Sequence, residues 1–104
     1  MIRVWDKKVY DTTKAEEIAF YDAPIPVNDY NWYTETLYRT KKGNWFLAGR
    51  GGPMSQWNES DGFGEMTGSY GIRPLERGDA LNWLQSHEMP DHIIQYFGDD
   101  LEEA

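Results

Sequence analysis

Tyr33-Thr34-Glu35-Thr36-Leu37-Tyr38-Arg39-Thr40-Lys41-Lys42-Gly43-Asn44-Trp45-Phe46-Leu47-Ala48 reads as two β-strands joined by a tight turn. Both arms are dominated by β-branched and aromatic residues, which suit a pleated, half-buried surface. Lys41-Lys42-Gly43 has the form of a three-residue loop ending in glycine: a type I turn followed by a bulge, with Gly43 taking the positive φ that a side chain resists. Such a turn sets the register. Thr40 faces Asn44, Tyr38 faces Phe46 and Leu37 faces Leu47, which puts an aromatic pair on one sheet face and an aliphatic pair on the other. Both faces therefore need cover.

Toward the N-terminus, Ile2-Arg3-Val4-Trp5, the polar Asp6-Lys7-Lys8 and Val9-Tyr10 predict a second, shorter hairpin. Asp11 or Thr12 is placed to cap a helical turn over residues 13–18, helped by Glu16 and Glu17 at its positive end. Ala19-Phe20-Tyr21 then returns to strand, and Pro24 and Pro26 make Asp22 to Tyr30 a loop or an edge segment. Toward the C-terminus, Gly49-Arg50-Gly51-Gly52-Pro53-Met54 is expected to end the central hairpin. The stretch from there to Gly71, rich in Gly, Ser and Asn, predicts a long loop and hence a working surface. Tyr70 to Leu75 reads as a final edge strand. From Arg77 the period becomes helical, with an apolar stripe of Ala80, Leu81, Trp83 and Leu84 that ends before Pro90. Asp91 is placed to cap a second helix carrying Ile93, Ile94 and Phe97, stopped by Gly98, and the acidic tail after it is expected to fray. The fold class expected is α+β: one domain over residues 1–104, a small antiparallel sheet built on the central hairpin, and the 77–97 helices packed on one face.

Composition agrees with one small core. A 104-residue chain buries roughly two-thirds of the surface its unfolded form exposes. Five Trp, seven Tyr and four Phe supply large buried areas despite a mean hydropathy of -0.77. The absence of cysteine excludes disulfides, thiolate metal sites and thiol catalysis, and it points to a reducing cytoplasm. Met1 to Asp6 lacks the apolar run of a signal peptide, and no segment reaches the ~20 apolar residues of a membrane span.

Charge is unevenly spread. The net charge is -8; residues 1–50 carry seven acids and eight bases, whereas residues 51–104 carry eleven acids and only Arg73 and Arg77. Such a field repels DNA, RNA and anionic lipid and attracts a basic partner.

Motifs for chemistry are weak. His87 and His92 bracket Met89-Pro90, so Pro90 keeps them from the i, i+4 spacing of a zinc helix. Gly49-Arg50-Gly51-Gly52 has the amide density of an anion cradle but lacks the Lys-Ser/Thr and opening helix of a P-loop. Gly68-Ser69-Tyr70-Gly71 is not a nucleophile elbow. With eighteen acids, no carboxylate pair singles itself out as a glycosidase dyad. Neither a cofactor nor enzymatic activity is expected.

The run Glu35 to Leu47, followed by Gly51-Gly52-Pro53-Met54-Ser55 and a proline-led helix from Pro74 to Leu84, resembles a group of small bacterial proteins often encoded in phages and mobile elements. The resemblance carries no catalytic residue. It implies a genetic context in which inhibitors of host defence, anti-CRISPR and antirestriction proteins among them, are common. Together with the acidic half, it leads to the expectation of a cytoplasmic, non-enzymatic inhibitor, monomeric or homodimeric. Such a protein would occupy the basic, nucleic-acid-binding surface of a host nuclease or CRISPR effector without touching nucleic acid or membrane itself. The residues expected at that contact are Glu59, Asp61, Glu65, Asp79, Glu88, Asp91, Asp99 and Asp100. Trp57 and Phe63 would be apolar anchors, unless they fold back over the hairpin. The alternative is a structural or adaptor domain that binds another protein, without mimicry, through the hairpin edge or the glycine loop.

Overall fold

The structure is a computed structural model and describes residues 1–60 and 62–104. Its elements are β1 (Ile2–Trp5), β2 (Lys8–Asp11), β3 (Glu16–Asp22), β4 (Tyr33–Arg39), β5 (Trp45–Gly51), β6 (Asn58–Ser60), β7 (Met66–Leu75), α1 (Arg77–Ser86), α2 (Pro90–Phe97) and a 3-10 turn, Gly98–Asp100. Strands β3-β4-β5-β7-β6 make one antiparallel sheet, and β1-β2 make a separate hairpin. The class is α+β, as the pattern of strands followed by helices requires.

The central turn follows its chemistry. Gly43 has φ +87°, its amide donates to the Thr40 carbonyl at 2.9 Å, and the Thr40 amide donates to the Asn44 carbonyl at 2.8 Å. Tyr38 pairs with Phe46 and Leu37 with Leu47, so the register is the one the turn dictates. On the face of Leu37 and Leu47, residues Ile18, Ala19, Trp45 and Trp57 pack against Ala80, Trp83 and Leu84 of α1 and Phe97 of α2. On the other face Phe46, Ala48 and Ile72 are covered by Tyr10 of the β1-β2 hairpin, whose ring meets Phe46 edge-on at 5.5 Å while Tyr38 stacks on Phe46 at 5.0 Å. The short hairpin turns through Asp6 and Lys7, both at positive φ, a two-residue turn that matches the strand twist.

Several local expectations are overturned. Residues 13–18 do not make a helical turn. The Asp11 carboxylate accepts from the Thr13 amide at 2.9 Å and the Thr13 hydroxyl at 2.8 Å, and Glu16 and Glu17 then pair with Arg39 and Tyr38 of β4. A single helical turn has no propagation to offset its nucleation, whereas a strand there extends the sheet. The glycines after Ala48 do not end β5, which runs to Gly51, and the expected long loop contains β6 and the first part of β7. Tyr70 to Leu75 is an edge over its own span, because β6 pairs only with Met66 to Gly68. Arg3 protects that edge by donating to the Ile72 carbonyl at 2.6 Å. The α2 N-cap is Met89 with Pro90 in the first turn, and Asp91 makes no capping bond; Ile94 is 63% exposed.

Two outcomes test this account. A methyl group on Gly49 would overlap the Trp57 indole, so Gly49→Ala is expected to cost about 2–3 kcal/mol of stability, read as a lowered urea midpoint with an unchanged m value. The Thr13 hydroxyl and amide hold the Asp11 carboxyl below its ordinary value of 3.8. Ionised Asp11 therefore stabilises the fold above that value, and the contribution disappears as pH falls through the lowered one. Asp11→Asn is expected to flatten this acid limb in a fluorescence-monitored pH titration.

Candidate functional site

Alternation along β4 puts Tyr33, Glu35 and Leu37 on the helix face, so Glu35 points into the core. Its carboxylate is fully buried and takes donors from two distant segments. Trp57 Nε1 donates to Oε2 at 2.8 Å, Trp83 Nε1 donates to Oε1 at 2.9 Å, and the Gln56 side-chain amide also donates to Oε2. Gln56 in turn accepts from Arg73 at 2.6 Å, and the Arg73 guanidinium lies 5.6 Å from the centre of the Trp57 ring. The sequence signal was present in the period-two pattern, which places Glu35 on the face of Leu37; only the partners were not readable.

Room for the Trp57 indole comes from glycine. Gly49 and Gly71 are cross-strand partners beneath it, and a side-chain carbon on Gly71 would rest 3.8 Å from the ring. Trp57 is therefore a buried core residue and not an exposed anchor. The segment leading to it is closed by Ser55, whose hydroxyl donates to the Gly52 carbonyl at 2.8 Å and accepts from the Trp57 amide at 3.2 Å.

The remaining contact residues fall into two groups. Glu59 lies exposed on β6, where it accepts from the Ser69 hydroxyl at 3.2 Å, and Glu65 and the 92% exposed Phe63 lie on the β6-β7 connection. Asp61 lies outside the described residues. At the other end of β7 stand Asp79 in the first turn of α1, Glu88 between the helices, Asp91 in the first turn of α2, and Asp99 and Asp100 in the 3-10 turn, all exposed. Ten residues of strand at about 3.3 Å each hold the two groups roughly 30 Å apart. One continuous contact surface is thus replaced by an acidic helical layer and a separate hairpin tip.

Within the helical layer, Asp79 accepts from the Glu76 amide at 3.4 Å in a capping box, and Asp100 pairs with Arg77. Glu88 has φ 55° in the position after the α1 C-cap that glycine usually takes. Its amide donates to Gln85 at 3.1 Å and the Met89 amide donates to Leu84 at 3.1 Å, which closes the helix. A groove of about 480 Å³ beside α1 is lined by Arg73, Asp79, Asn82, Trp83 and Ser86 among others.

The weaker motifs resolve structurally. The Gly49 to Gly51 backbone is engaged in the β4 and β7 ladders and the Gly52 amide donates to the Trp32 carbonyl at 2.7 Å, so no amide cradle exists there. His87 Nδ1 sits 2.7 Å from the Trp83 carbonyl, and its ring packs on Tyr21 and Trp83. Among the described residues no group of three or more His, Asp or Glu is placed to hold a metal ion. No helix among them is long and apolar enough to cross a membrane. Comparison with protein-family models, with curated proteins and with solved structures finds no match to the chain.

All three partners of Glu35 are donors, so a glutamine there must turn its own amide protons toward one of them. Glu35→Gln, although isosteric, is expected to cost about 2 kcal/mol or more in urea unfolding. A neutral result would show that Glu35 merely fills space.

Proposed function

We propose that this chain is a non-enzymatic binding protein whose acidic helical layer docks on a basic, nucleic-acid-binding surface of a host protein and competes there with nucleic acid. The observation that carries the reading is the charge of that layer. From Arg77 onward the chain has seven carboxylates and one cation, and the carboxylates at Asp79, Glu88, Asp91, Asp99 and Asp100 are exposed on or beside short helices docked to the sheet. Carboxylates fixed on a rigid scaffold approach a cationic groove with little ordering cost.

Glu88 supports the same reading from backbone geometry. A left-handed residue with a side chain costs about 1 kcal/mol relative to glycine, and in this chain the position carries an acid. The resemblance to proteins of phages and mobile elements makes a defence nuclease or CRISPR effector the partner class. The hairpin tip with Glu59, Glu65 and Phe63 would then be a second, independent contact rather than part of the same surface.

The experiment is displacement of labelled duplex DNA from purified host nucleases and CRISPR effectors by the whole chain. Displacement is expected to weaken by about tenfold or more between about 50 and about 200 mM salt. The triple variant Asp91→Lys, Asp99→Lys, Asp100→Lys is expected to abolish it. Glu88→Gly is expected to raise stability by about 0.5–1 kcal/mol while weakening displacement. Displacement unaffected by the triple reversal rejects the electrostatic reading. Self-association that survives the reversal would favour an adaptor role through the exposed outer face of the β1-β2 hairpin, where Ile2 and Val4 stand.

A further inference from the structure

Every lysine of the chain lines one groove. Lys7 and Lys8 come from the β1-β2 turn, Lys14 from the β2-β3 connection, and Lys41 and Lys42 from the β4-β5 turn. In a chain with eighteen acids and ten bases, mixing of the two signs would be the ordinary arrangement. The groove instead holds a single carboxylate, Asp11, which is turned onto Thr13. Among the described residues the ion pair is Arg77 with Asp100, so no lysine is held in an ion pair there, although Lys14 helps to lower the pKa of Asp11. Two turns held by positive φ, at Asp6-Lys7 and at Gly43, fix the backbone that brings these charges together.

The groove has a volume of about 490 Å³, the size of a small-molecule site. Between the lysines its wall is apolar, formed by Val9, Tyr10 and Ala15, and Tyr10 is locked in place against Phe46. Thr40 and Asn44 add polar groups at one side. None of the five arginines lines it. Both kinds of cation bind phosphate; the ammonium does so as a compact point charge on a flexible stem, and five of them converge here. A long polyanion would also meet the acidic remainder of the molecule, while a small ligand keeps its charges nearest the five lysines and the single carboxylate of the groove.

We propose that this groove binds a small organic polyphosphate of the nucleoside di- or triphosphate class, with phosphates among the lysine ammoniums and the apolar body against Val9, Tyr10 and Ala15. The site lies on the sheet side away from the helices and does not depend on the acidic layer, so either proposal can fail alone.

The test is calorimetric titration of the whole chain at low salt with ATP, tripolyphosphate and adenosine as probes. ATP is expected to bind, tripolyphosphate to bind about tenfold more weakly for want of the apolar body, and adenosine not to bind. Lys41→Ala with Lys42→Ala, and separately Lys14→Ala, are expected to weaken ATP by about tenfold or more, with near-ultraviolet circular dichroism unchanged. Arg50→Ala, outside the groove, is expected to leave it unchanged. Absence of ATP and tripolyphosphate binding overturns the proposal, as does ATP binding indifferent to the lysine variants. Tighter lysine-dependent binding of a single-stranded oligonucleotide or a glutamate-rich peptide would overturn it in favour of a macromolecule. Self-association lost in the lysine variants would make the occupant the acidic end of a second copy.

Discussion

A buried carboxylate that only accepts, met by indoles that only donate, ties this molecule together. Glu35 belongs to the sheet, Trp57 to the segment after β5, and Trp83 to α1, and their two hydrogen bonds join pieces of chain far apart in sequence. Each indole excludes water from the carboxylate, and the carboxylate is what lets each indole N–H be buried without loss. Gly49 belongs to the same constraint, since the Trp57 ring occupies the volume its side chain would fill, and Gly71 lies in contact with the same ring. Remove the acceptor and the helix layer loses the polar contact that orients α1 on the sheet.

With that anchor in place the two sheet faces become different environments. The helix face is sealed by large aromatics, with Phe97 stacked on Trp45 at 5.1 Å, and its outer surface presents carboxylates. The opposite face is covered only in part, by a two-stranded hairpin, and the gap between that hairpin and the β4-β5 turn gathers the lysines. The five lysines thus line one groove, while the exposed carboxylates of the helical layer stand on the other side of the sheet.

Much of the fold was legible because its causes are local. The central hairpin follows from Gly43 and the alternation on either side of it, and α1 follows from the spacing of Ala80, Trp83 and Leu84, all buried as the period demands. Where causes are distant, the reading failed. Residues 13–18 have local helical signals, but β4 offers them a ladder. The glycine-rich stretch after Ala48 has the composition of a loop, yet Gly49 admits an indole and Gly51, Gly52 and Gly68 let backbone segments lie close. Trp57 lies between the two cases: its polar neighbours leave exposure and folding back over the hairpin both open, and it is buried with its indole donating to Glu35, twenty-two positions earlier.

By itself the sequence determined the fold class, the central register, the helical stripe and the lopsided charge, because turn geometry, side-chain alternation and composition act over a few residues. Only the tertiary structure decided which acids share a surface, that the hairpin tip stands apart from the helices, that Glu35 is a core residue, and that the lysines converge. Those outcomes depend on where strand pairing and helix docking carry each segment, and no short-range rule along the chain encodes that distance.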